Sequence, residues 1–277
     1  MTNQYVNYKI TSHQFVIRLG SGAFADGYKT SLVQKDDSKY AVLKVGDKQL
    51  VESCSIDTPP ALTRGPIILY EFEGCPFCRK VREAVSMLSL EVEFRPCPQE
   101  SSFRKEIKET YGARSTFPFM RDPNTGVEMF ESDDIIKYLF RTYSDGDGDN
   151  DGNVPSSLNG GILTTLTAGF GLLPRANKGG RGRSSDPPPQ PLIVWSAEGS
   201  PYAKIVKEEL CELQIAHLQI SCPRGSPQRQ RMFEKTGRFQ IPYLEDPNTG
   251  VAMYESSAII EYINAMYAVE KPNIEYM

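Results

Sequence analysis

The chain has little of what several classes of site require. Only two histidines, His13 and His217, and six cysteines at irregular spacings occur among its 277 residues. Two isolated histidines offer few ligands for a zinc site, and six scattered cysteines are too few for a disulfide scaffold in a chain of this length. The cysteine content therefore favours a reducing compartment, in which free thiols persist.

Long apolar runs and a large excess of charge of one sign are also missing. The longest mostly apolar stretch, 161–174, is too short to span a bilayer, so we expect no transmembrane helix. The first fifteen residues lack the apolar core of a secretory signal. A net charge of -4 gives no indication of a nucleic-acid partner, and the chain is long enough for two small domains.

What the chain does contain is a C-P-F-C motif at residues 75–78, at a predicted turn from a strand to a helix. The apolar run 67–72 precedes the motif, and apolar residues recur at helical spacing after it. We therefore expect Cys75 at a helix N-terminus, where unpaired N–H groups and the helix dipole favour a thiolate. The pattern predicts Cys75 as a nucleophile and Cys78 as the resolving thiol.

The surroundings of the motif support this interpretation and leave two others open. Arg79 and Lys80 are expected to add positive charge within one turn of the nucleophile. A C-x-x-C pair can instead be half of a zinc site, but the chain contains no second C-x-x-C to complete it. A purely structural pair is the third interpretation. We favour the redox pair.

The second half of the chain repeats the first at an offset of about 125 residues. The sequence Asp-Pro-Asn-Thr-Gly-Val stands at 122–127 and recurs unchanged at 246–251. The C-P-F-C motif aligns with Ser-Pro-Tyr-Ala at 200–203, and a proline precedes both turns while a Glu-Ser pair follows them. Two copies of about 80 residues indicate two domains and argue against a solenoid.

Each copy shows the same predicted order: strand, helix, strand, helix, two strands joined by the turn, and a final helix that starts at a serine N-cap. The βαβ half requires a parallel pair, and the turn makes the last two strands an antiparallel hairpin. We therefore expect a four-stranded mixed sheet flanked by helices, an α/β fold. In the first copy the predicted elements are 67–72, 76–89, 91–96, 103–110, 117–121, 127–130 and 132–142.

Both copies resemble the thioredoxin-like fold in its glutaredoxin and glutathione S-transferase N-terminal form. The resemblance is carried by C-P-F-C at the first helix, the proline before the third strand and Glu-Ser at the last helix. The chain also resembles a plant and algal group with two tandem modules of this kind, and C-P-F-C resembles the type-two prostaglandin E synthases. The plant resemblance implies a chloroplast location; without it the protein is expected in the cytoplasm.

The repeat and the resemblance together divide the chain into four parts. Residues 1–66 are expected to form a β-rich N-terminal extension that packs on the first domain. Residues 67–143 form the redox-active thioredoxin-like domain 1, and 192–277 form a degenerate thioredoxin-like domain 2. Between them, 144–191 is a linker with a short apolar helix at 162–173.

The resemblance implies a glutathione site in domain 1. In such folds the proline before the third strand is cis, and the backbone beside it pairs with the cysteinyl part of glutathione; Phe117 and Pro118 match. Glu131 and Ser132 match the pair that holds the γ-glutamyl end. Taken without the family, Pro118 is an ordinary proline at the start of a strand and Ser132 is a helix N-cap.

Domain 2 cannot carry out dithiol exchange, because Ser200 and Ala203 replace both cysteines. The alternatives are a second glutathione site and a degenerate partner that only covers domain 1, and we favour the latter. The second site would consist of Ser200, Ile241, Pro242, Glu255 and Ser256.

Several further features are expected to be structural. The segment 19–28 with Lys44 is similar to a kinase glycine loop, but the rest of a kinase is missing. The acidic segment 147–154 resembles part of a calcium loop without its final glutamate, and the basic segment 175–183 is typical of a flexible tether. Three cysteines are expected to be packing residues: Cys97, Cys211 and Cys222.

The leading hypothesis is a glutathione-dependent thiol-disulfide oxidoreductase of glutaredoxin type, in which Cys75 attacks disulfide-containing small molecules or proteins. One alternative is that Cys75 and glutathione from two chains hold a [2Fe-2S] cluster. The other is a noncatalytic glutathione-binding scaffold. Glutathione transferase activity is less expected, because neither module is followed by enough chain for an all-α domain. No metal-ligand set, nucleic-acid site or membrane span is predicted, and the oligomeric state is left open.

Overall fold

The computed structural model describes residues 22–56, 62–113, 115–144, 154–159 and 178–269. No helix in these ranges is long and apolar enough to cross a membrane. The predicted apolar helix at 162–173 and nearly all of the calcium-loop-like segment lie outside them. The described elements are β1 (Lys29–Gln34), β2 (Leu43–Val45), β3 (Lys48–Ser53), β4 (Ile67–Glu71), α1 (Pro76–Met87), β5 (Glu91–Pro96), α2 (Ser102–Tyr111), β6 (Phe119–Asp122), β7 (Val127–Met129), α3 (Ser132–Tyr143), β8 (Leu192–Ser196), α4 (Pro201–Glu212), β9 (His217–Ser221), α5 (Gln228–Thr236), β10 (Tyr243–Asp246), β11 (Val251–Tyr254) and α6 (Ser256–Tyr267).

Each copy forms the four-stranded mixed sheet that the sequence predicts. In the first copy β4 pairs with β5 in parallel and with β6 antiparallel, and β6 continues into the β7 hairpin. Strands β8 to β11 repeat this arrangement in the second copy. The hairpins form because the aspartate that opens each turn accepts a hydrogen bond from the N–H two residues on, Asp122 from Asn124 and Asp246 from Asn248. The predicted α/β architecture of two tandem thioredoxin-like domains is confirmed.

The two copies share one sheet of eight strands, in the order β11-β10-β8-β9-β5-β4-β6-β7. The join is an antiparallel pairing of β5 with β9, which runs from Glu91 opposite Ile220 to Phe94 opposite His217. The edges of β5 and β9, which each domain would expose if it stood alone, are therefore paired with each other.

The core of domain 1 follows from the alternation of its strands. Along β5, Val92 and Phe94 are buried, while Glu91, Glu93 and Arg95, which alternate with them, are half-exposed. The two buried residues pack with the apolar face of α1, which includes Val81 and Val85, in one cluster with Leu139 of α3. After β4 the chain leaves the sheet and enters α1 at the C-P-F-C motif.

A short segment before domain 1 connects both domains; we name residues 22–27 strap one. The Ala23 carbonyl accepts a hydrogen bond from the Arg224 N–H at 2.8 Å, which ties the strap to domain 2. The Asp26 N–H donates to the Met87 carbonyl at 2.9 Å, which ties it to the end of α1 in domain 1.

Residues 178–183, before domain 2, form the equivalent strap two. The Gly180 carbonyl accepts from the Gln99 N–H at 3.0 Å, and the Arg183 N–H donates to the Glu212 carbonyl at 2.6 Å at the end of α4. These partners correspond, through the repeat, to the partners of strap one. The duplication therefore extends upstream of both domains, and strands β1 to β3 are an insertion between strap one and β4.

The inserted sheet, ordered β1-β3-β2, packs on domain 2. Glu52 on β3 pairs with Arg224 at 2.6 Å and Arg229 at 3.1 Å, two arginines of the second domain. The extension contacts domain 1 on either side of this sheet, through strap one before it and through Ile56, which joins the core, after it. The expectation that the extension packs on domain 1 is therefore wrong for its sheet, because the opposite charges that fix it lie on domain 2.

Candidate functional site

Cys75 is the N-cap of α1, as the sequence predicts. Its backbone is extended, with φ -92° and ψ 122°, Pro76 is the first helical residue, and the Cys75 Sγ accepts a hydrogen bond from the Cys78 N–H at 3.2 Å. The Cys75 N–H donates to the Phe72 carbonyl at 3.0 Å. The sulfur thus faces helix N–H groups that have no partner within the helix, and these stabilise a thiolate.

The two thiols of the motif differ in their protonation. Hydrogen bonds from the Cys78 side chain and N–H lower the pKa of the Cys75 thiol below its ordinary value, even though burial opposes them. Burial and the neighbouring Cys75 raise the pKa of the fully buried Cys78 thiol well above its ordinary value. Cys75 is therefore ionised at a pH at which Cys78 remains a thiol, which is the asymmetry that a nucleophile and a resolving thiol require.

Arg79 and Lys80 do not serve the thiol, so that expectation is wrong. Arg79 Nε lies 3.2 Å from Glu83 Oε1 in an ion pair, and Lys80 pairs with Asp133 at the start of α3. Besides the hydrogen bonds from Cys78, the cation Arg82 on the next turn of α1 lowers the pKa of the Cys75 thiol, against a larger opposing effect of the Glu71 carboxylate. Sequence reasoning missed Arg82 because its position depends on how α1 packs against the end of β4, where Glu71 and Glu73 contact it.

Arg82 belongs to a buried group of charges between the two domains. It pairs with Glu73 at 3.1 Å and with Glu198 of domain 2 at 3.3 Å. Lys207 of α4, the equivalent of Arg82 in the repeat, contacts the same two carboxylates. Glu71, which also contacts Arg82, is buried at the end of β4, and burial raises the pKa of its carboxyl group to about 7.

The loop before β6 brings a backbone carbonyl to the nucleophile. The Phe117-Pro118 and Ile241-Pro242 peptide bonds are both cis, which confirms what the resemblance implied for these positions. The Phe117 carbonyl oxygen lies 3.8 Å from the Cys75 Sγ. The structure therefore brings together Cys75, Cys78 and the Phe117-Pro118 backbone at one end of α1.

Glu131 and Ser132 lie at the start of α3, but the prediction that the serine is the N-cap of this helix is wrong. Glu131 is the N-cap residue, with φ 68° and ψ 112°, and the buried Ser132 is the first residue of the helix. Glu255 takes the same conformation in domain 2, with φ 71°. A positive φ at glutamate is uncommon and costs about 1 kcal/mol or more. Both copies retain this strained glutamate, and its exposed side chain leaves the carboxylate accessible.

Arg104 of α2 lies beside the same loop and was missed by the sequence analysis. Its Nε and Nη2 donate to the Cys97 carbonyl at 2.9 and 2.6 Å. Its guanidinium lies 4.6 Å from the centre of the Phe117 ring and 5.1 Å from that of Phe72. The repeat carried a signal for it, because Arg229 stands at the equivalent position of the second copy.

Strap two lies against the residues that precede the nucleophile. The Gly74 N–H donates to the Gly179 carbonyl at 3.4 Å. Gly179 has φ +67°, and a Cβ built there would lie 2.5 Å from the Cβ of Glu73. The flexible tether expected at 175–183 is therefore wrong for residues 178–183, which are fixed by backbone contacts.

Domain 2 reproduces the local geometry without the thiols. Ser200 is the N-cap of α4, and its hydroxyl accepts a hydrogen bond from the Ala203 N–H at 3.2 Å. Strap one lies beside it, since a Cβ built at Gly199 would meet the Ala23 Cβ at 2.5 Å. The other residues predicted here stand at the corresponding places: the Ile241-Pro242 bond precedes β10, and the Glu255-Ser256 pair opens α6.

The three cysteines expected to be packing residues are buried, which confirms that expectation. The thiols of Cys97 and Cys222 donate to the carbonyls two residues earlier, and that of Cys211 donates to the Gly179 carbonyl. Burial raises the pKa of Cys222 to about 12 and that of Cys97 and Cys211 above its ordinary range.

The described part of the chain holds no group of three or more His, Cys, Asp or Glu side chains that could surround a metal ion. In the iron-sulfur alternative, Cys75 and glutathione from each of two chains would together supply the ligands of the cluster. That alternative therefore stays a prediction, since a single chain does not test it.

The mixed four-stranded sheet, the thiol at the N-terminus of its first helix and the cis-proline loop beside that thiol together define a thioredoxin-like protein. The family model described as "Glutathione S-transferase, N-terminal domain" matches residues 69–148 and 195–272, which is more than half of the chain. The chain therefore belongs to the glutathione S-transferase N-terminal domain family, with two copies of the domain in tandem. Membership of this family supports a function that involves glutathione.

Two known proteins show partial similarity. The glutathione S-transferase-like protein tpcF of Aspergillus fumigatus is 32% identical over 78 residues, which cover 28% of this chain and 34% of that protein. The chain thus spans about a third of the length of this relative. A Leishmania structure, TDR1, titled a unique trimeric glutathione transferase, aligns over 75% of this chain and 68% of its own at 15% identity, with a TM-score of 0.24.

Proposed function

We propose that this protein is a glutathione-dependent thiol-disulfide oxidoreductase of glutaredoxin type, with Cys75 as its nucleophile. The observation that carries the proposal is the unequal pair at the start of α1. The pKa of Cys75 lies below its ordinary value because of hydrogen bonds from Cys78, whereas burial keeps the pKa of Cys78 well above it.

In the proposed reaction, the Cys75 thiolate attacks one sulfur of a glutathione mixed disulfide. A new disulfide forms between Cys75 and glutathione, the old S–S bond breaks, and the substrate leaves as a thiolate that takes up a proton. A second glutathione, as thiolate, or Cys78 after deprotonation then attacks this intermediate. The Cys75 thiolate is regenerated with glutathione disulfide in the first case, and Cys75 and Cys78 form a disulfide with release of glutathione in the second.

The residues around the thiol support glutathione as the ligand. The Phe117 carbonyl, 3.8 Å from the sulfur, marks a backbone edge beside which the cysteinyl part would lie. The exposed Glu131 carboxylate and the N–H groups that begin α3 would hold the γ-glutamyl end, a carboxylate for its ammonium group and N–H donors for its carboxylate. Domain 2 takes no part in exchange, because it lacks both thiols.

The test is glutathione-coupled reduction of a small mixed disulfide, followed through glutathione reductase and NADPH. Cys75→Ser should abolish turnover, and Cys97→Ser, which removes an equally buried thiol outside the motif, should leave it unchanged. Turnover that survives Cys78→Ser identifies the monothiol route, and turnover that requires Cys78 identifies the dithiol route. No turnover by the reduced, unmodified protein would overturn the proposal.

A further inference from the structure

The two carboxylates that precede the nucleophile, those of Glu71 and Glu73, take most of their cations from domain 2. Both side chains are buried where β4 leads into α1. Among the residues that the structure describes, the cation in contact with Glu71 is Arg82 of the same domain. Glu73 lies 3.1 Å from Arg82, 2.9 Å from Lys204 and 3.5 Å from Lys207. Two of these three cations therefore come from α4 of domain 2.

The repeat shows that this arrangement is not symmetric. Glu71 has no counterpart in domain 2, where Ser196 stands at the equivalent position. Besides a glutamate of its own helix, Lys204 contacts Glu73 across the interface. Its equivalent in domain 1, Arg79, forms an ion pair only with the glutamate of its own helix, within the described ranges. The domain with the thiols thus has one more buried carboxylate at the interface, and the other domain directs one more lysine toward it.

Arg82 is shared by three buried carboxylates. Its Nη1 contacts Glu71, its Nη2 contacts Glu73, and its Nε contacts Glu198 of domain 2. Lys207 contacts Glu73 and Glu198 as well. Because the lysines of α4 hold these two carboxylates, the charge of Arg82 remains available to Glu71. Without a lysine, three carboxylates would compete for one guanidinium, since a buried carboxylate requires a cation.

The balance of charge at Glu71 acts on the nucleophile. Hydrogen bonds from Cys78 have the largest effect on the pKa of the Cys75 thiol and lower it, the Glu71 carboxylate raises it, and Arg82 lowers it. The thiolate is therefore favoured as long as Arg82 neutralises Glu71. The other titratable groups near these charges are neutral around pH 7, because burial raises the pKa of the thiols and lowers that of the imidazole: Cys78, Cys97, Cys211 and His217.

We propose that Lys204 and Lys207 of domain 2 are positioning residues for the nucleophile of domain 1. By holding the shared carboxylates, they leave Arg82 to neutralise Glu71, and the reactivity of Cys75 depends on this division of charge. This role rests on the proposed function, in which Cys75 is the nucleophile. Domain 2, which has no thiols of its own at this place, thus supplies cations that the active domain lacks.

The experiment measures the pH profile of Cys75 alkylation by iodoacetamide in the reduced full chain. Lys204→Met and Lys207→Met are each tested alone and together with Glu71→Gln. Lys235→Met is the matched control, because Lys235 is a lysine of domain 2 whose ion pair lies outside the buried group, with 47% of its side chain exposed. Mass spectrometry locates the alkylated cysteines, so that an unfolded variant is recognised by modification of thiols that the fold buries. Lys204→Met leaves Lys207 in place and serves as the test if Lys207→Met does not fold.

Each lysine substitution should raise the midpoint of the profile by about one pH unit, the effect of one uncompensated buried charge close to a thiol. Lys235→Met should leave the midpoint in place. In the Glu71→Gln background the same substitutions should have a much smaller effect, because the carboxylate through which they act is gone. An unchanged midpoint in the folded lysine variants, or equal shifts with and without Glu71, would overturn the proposal. Alkylation needs neither glutathione nor a disulfide, so a lack of turnover in the coupled assay would overturn the proposed function separately.

Discussion

At the scale of single residues, the local environment of each ionisable group decides its chemistry. Cys75 and Cys97 are both nearly inaccessible cysteines in one domain, yet only the first accepts a hydrogen bond from a helix N–H. Burial alone raises a thiol pKa, as it does for Cys97, because the charged form loses its hydration. The helix N-terminus reverses that effect for Cys75.

Alkylation of Cys75 should therefore follow a pH profile shifted to lower pH. Because its pKa is lowered in the fold, the thiolate is present at pH values at which an unperturbed thiol is still protonated. The rate of modification by iodoacetamide, taken as the difference between the unmodified protein and Cys75→Ser, should reach half its maximum below the midpoint for free glutathione. Coincident midpoints would contradict the proposed activation.

A second residue, His217, should make stability depend on pH. Burial beside Phe94 at the β5-β9 join lowers the pKa of His217 to about 4. Between that value and its ordinary value of 6.5, the unfolded chain binds a proton that the folded chain does not. The contribution of neutral His217 to the free energy of unfolding is therefore complete above pH 6.5. It decreases as the pH falls from 6.5 to about 4, by about 3 kcal/mol in total.

Urea unfolding of the unmodified chain and of His217→Gln at pH 7, 5.5 and 4.5 checks this expectation. The stability of the unmodified chain relative to the variant should decrease at each step toward acid. Subtracting the variant removes the opposite effect of Glu71, whose raised pKa of about 7 favours the fold at lower pH. Parallel stability curves for the two proteins would contradict the assignment.

At the scale of elements, the two straps connect the domains through main-chain contacts, and strap two requires glycine at one position. Gly179 in strap two has a positive φ and lies against Glu73, a member of the buried charge group next to the nucleophile. An alanine there brings both backbone strain and a steric clash. Strap two thus fixes the segment that leads from β4 into α1.

Gly179→Ala should destabilise the protein by about 2 to 4 kcal/mol, because its Cβ meets Glu73 in a buried interface. Gly126 in the β6-β7 turn is the matched control: its φ is +76°, and a Cβ built there meets nothing within 4 Å. Gly126→Ala should cost only about 1 kcal/mol, from the backbone alone. Equal losses in thermal or urea unfolding would show that the contact of strap two contributes nothing.

Sequence periodicity predicts the elements of the repeat well, since local patterns determine them. The predicted helix at 132–142 is observed at Ser132–Tyr143, and the strand at 91–96 is reproduced without change. The straps, the N-cap glutamates and Arg104 were not predictable in this way. Each depends on which distant segment packs against it. For Arg104 the one indication in the sequence was the repeat, which aligns it with Arg229.

At the scale of the whole molecule, buried charges and a shared sheet unite the domains. Arg82 and Lys207, one from each domain, share the carboxylates of Glu73 and Glu198, and all four side chains are at most 2% exposed. Such a group stabilises the interface only while every charge keeps its partner, because an unpaired buried ion loses its hydration without compensation. The interface is therefore sensitive to the loss of any one member.

Lys207→Met should lower the free energy of unfolding by about 3 to 5 kcal/mol, since it leaves two buried carboxylates short of a cation. Lys207→Arg, which keeps the charge, should cost less. The control is Lys35→Met, which removes a surface ion pair with Asp37 whose partners are 41% and 73% exposed and should change stability by less than about 0.5 kcal/mol. Similar losses for Lys207→Met and Lys35→Met would contradict the structural importance of the buried group.

The reciprocal straps and the antiparallel β5-β9 join bear on the history of the molecule. Each strap contacts corresponding residues, and the central strands meet in opposite directions, as two subunits do across a two-fold axis. We infer an ancestor with one strap and one module that assembled as a symmetric homodimer before its gene was duplicated and fused. Once both halves were encoded in one chain, one half could lose its cysteines and still serve as the structural partner of the other. Selection could then act on the two halves independently.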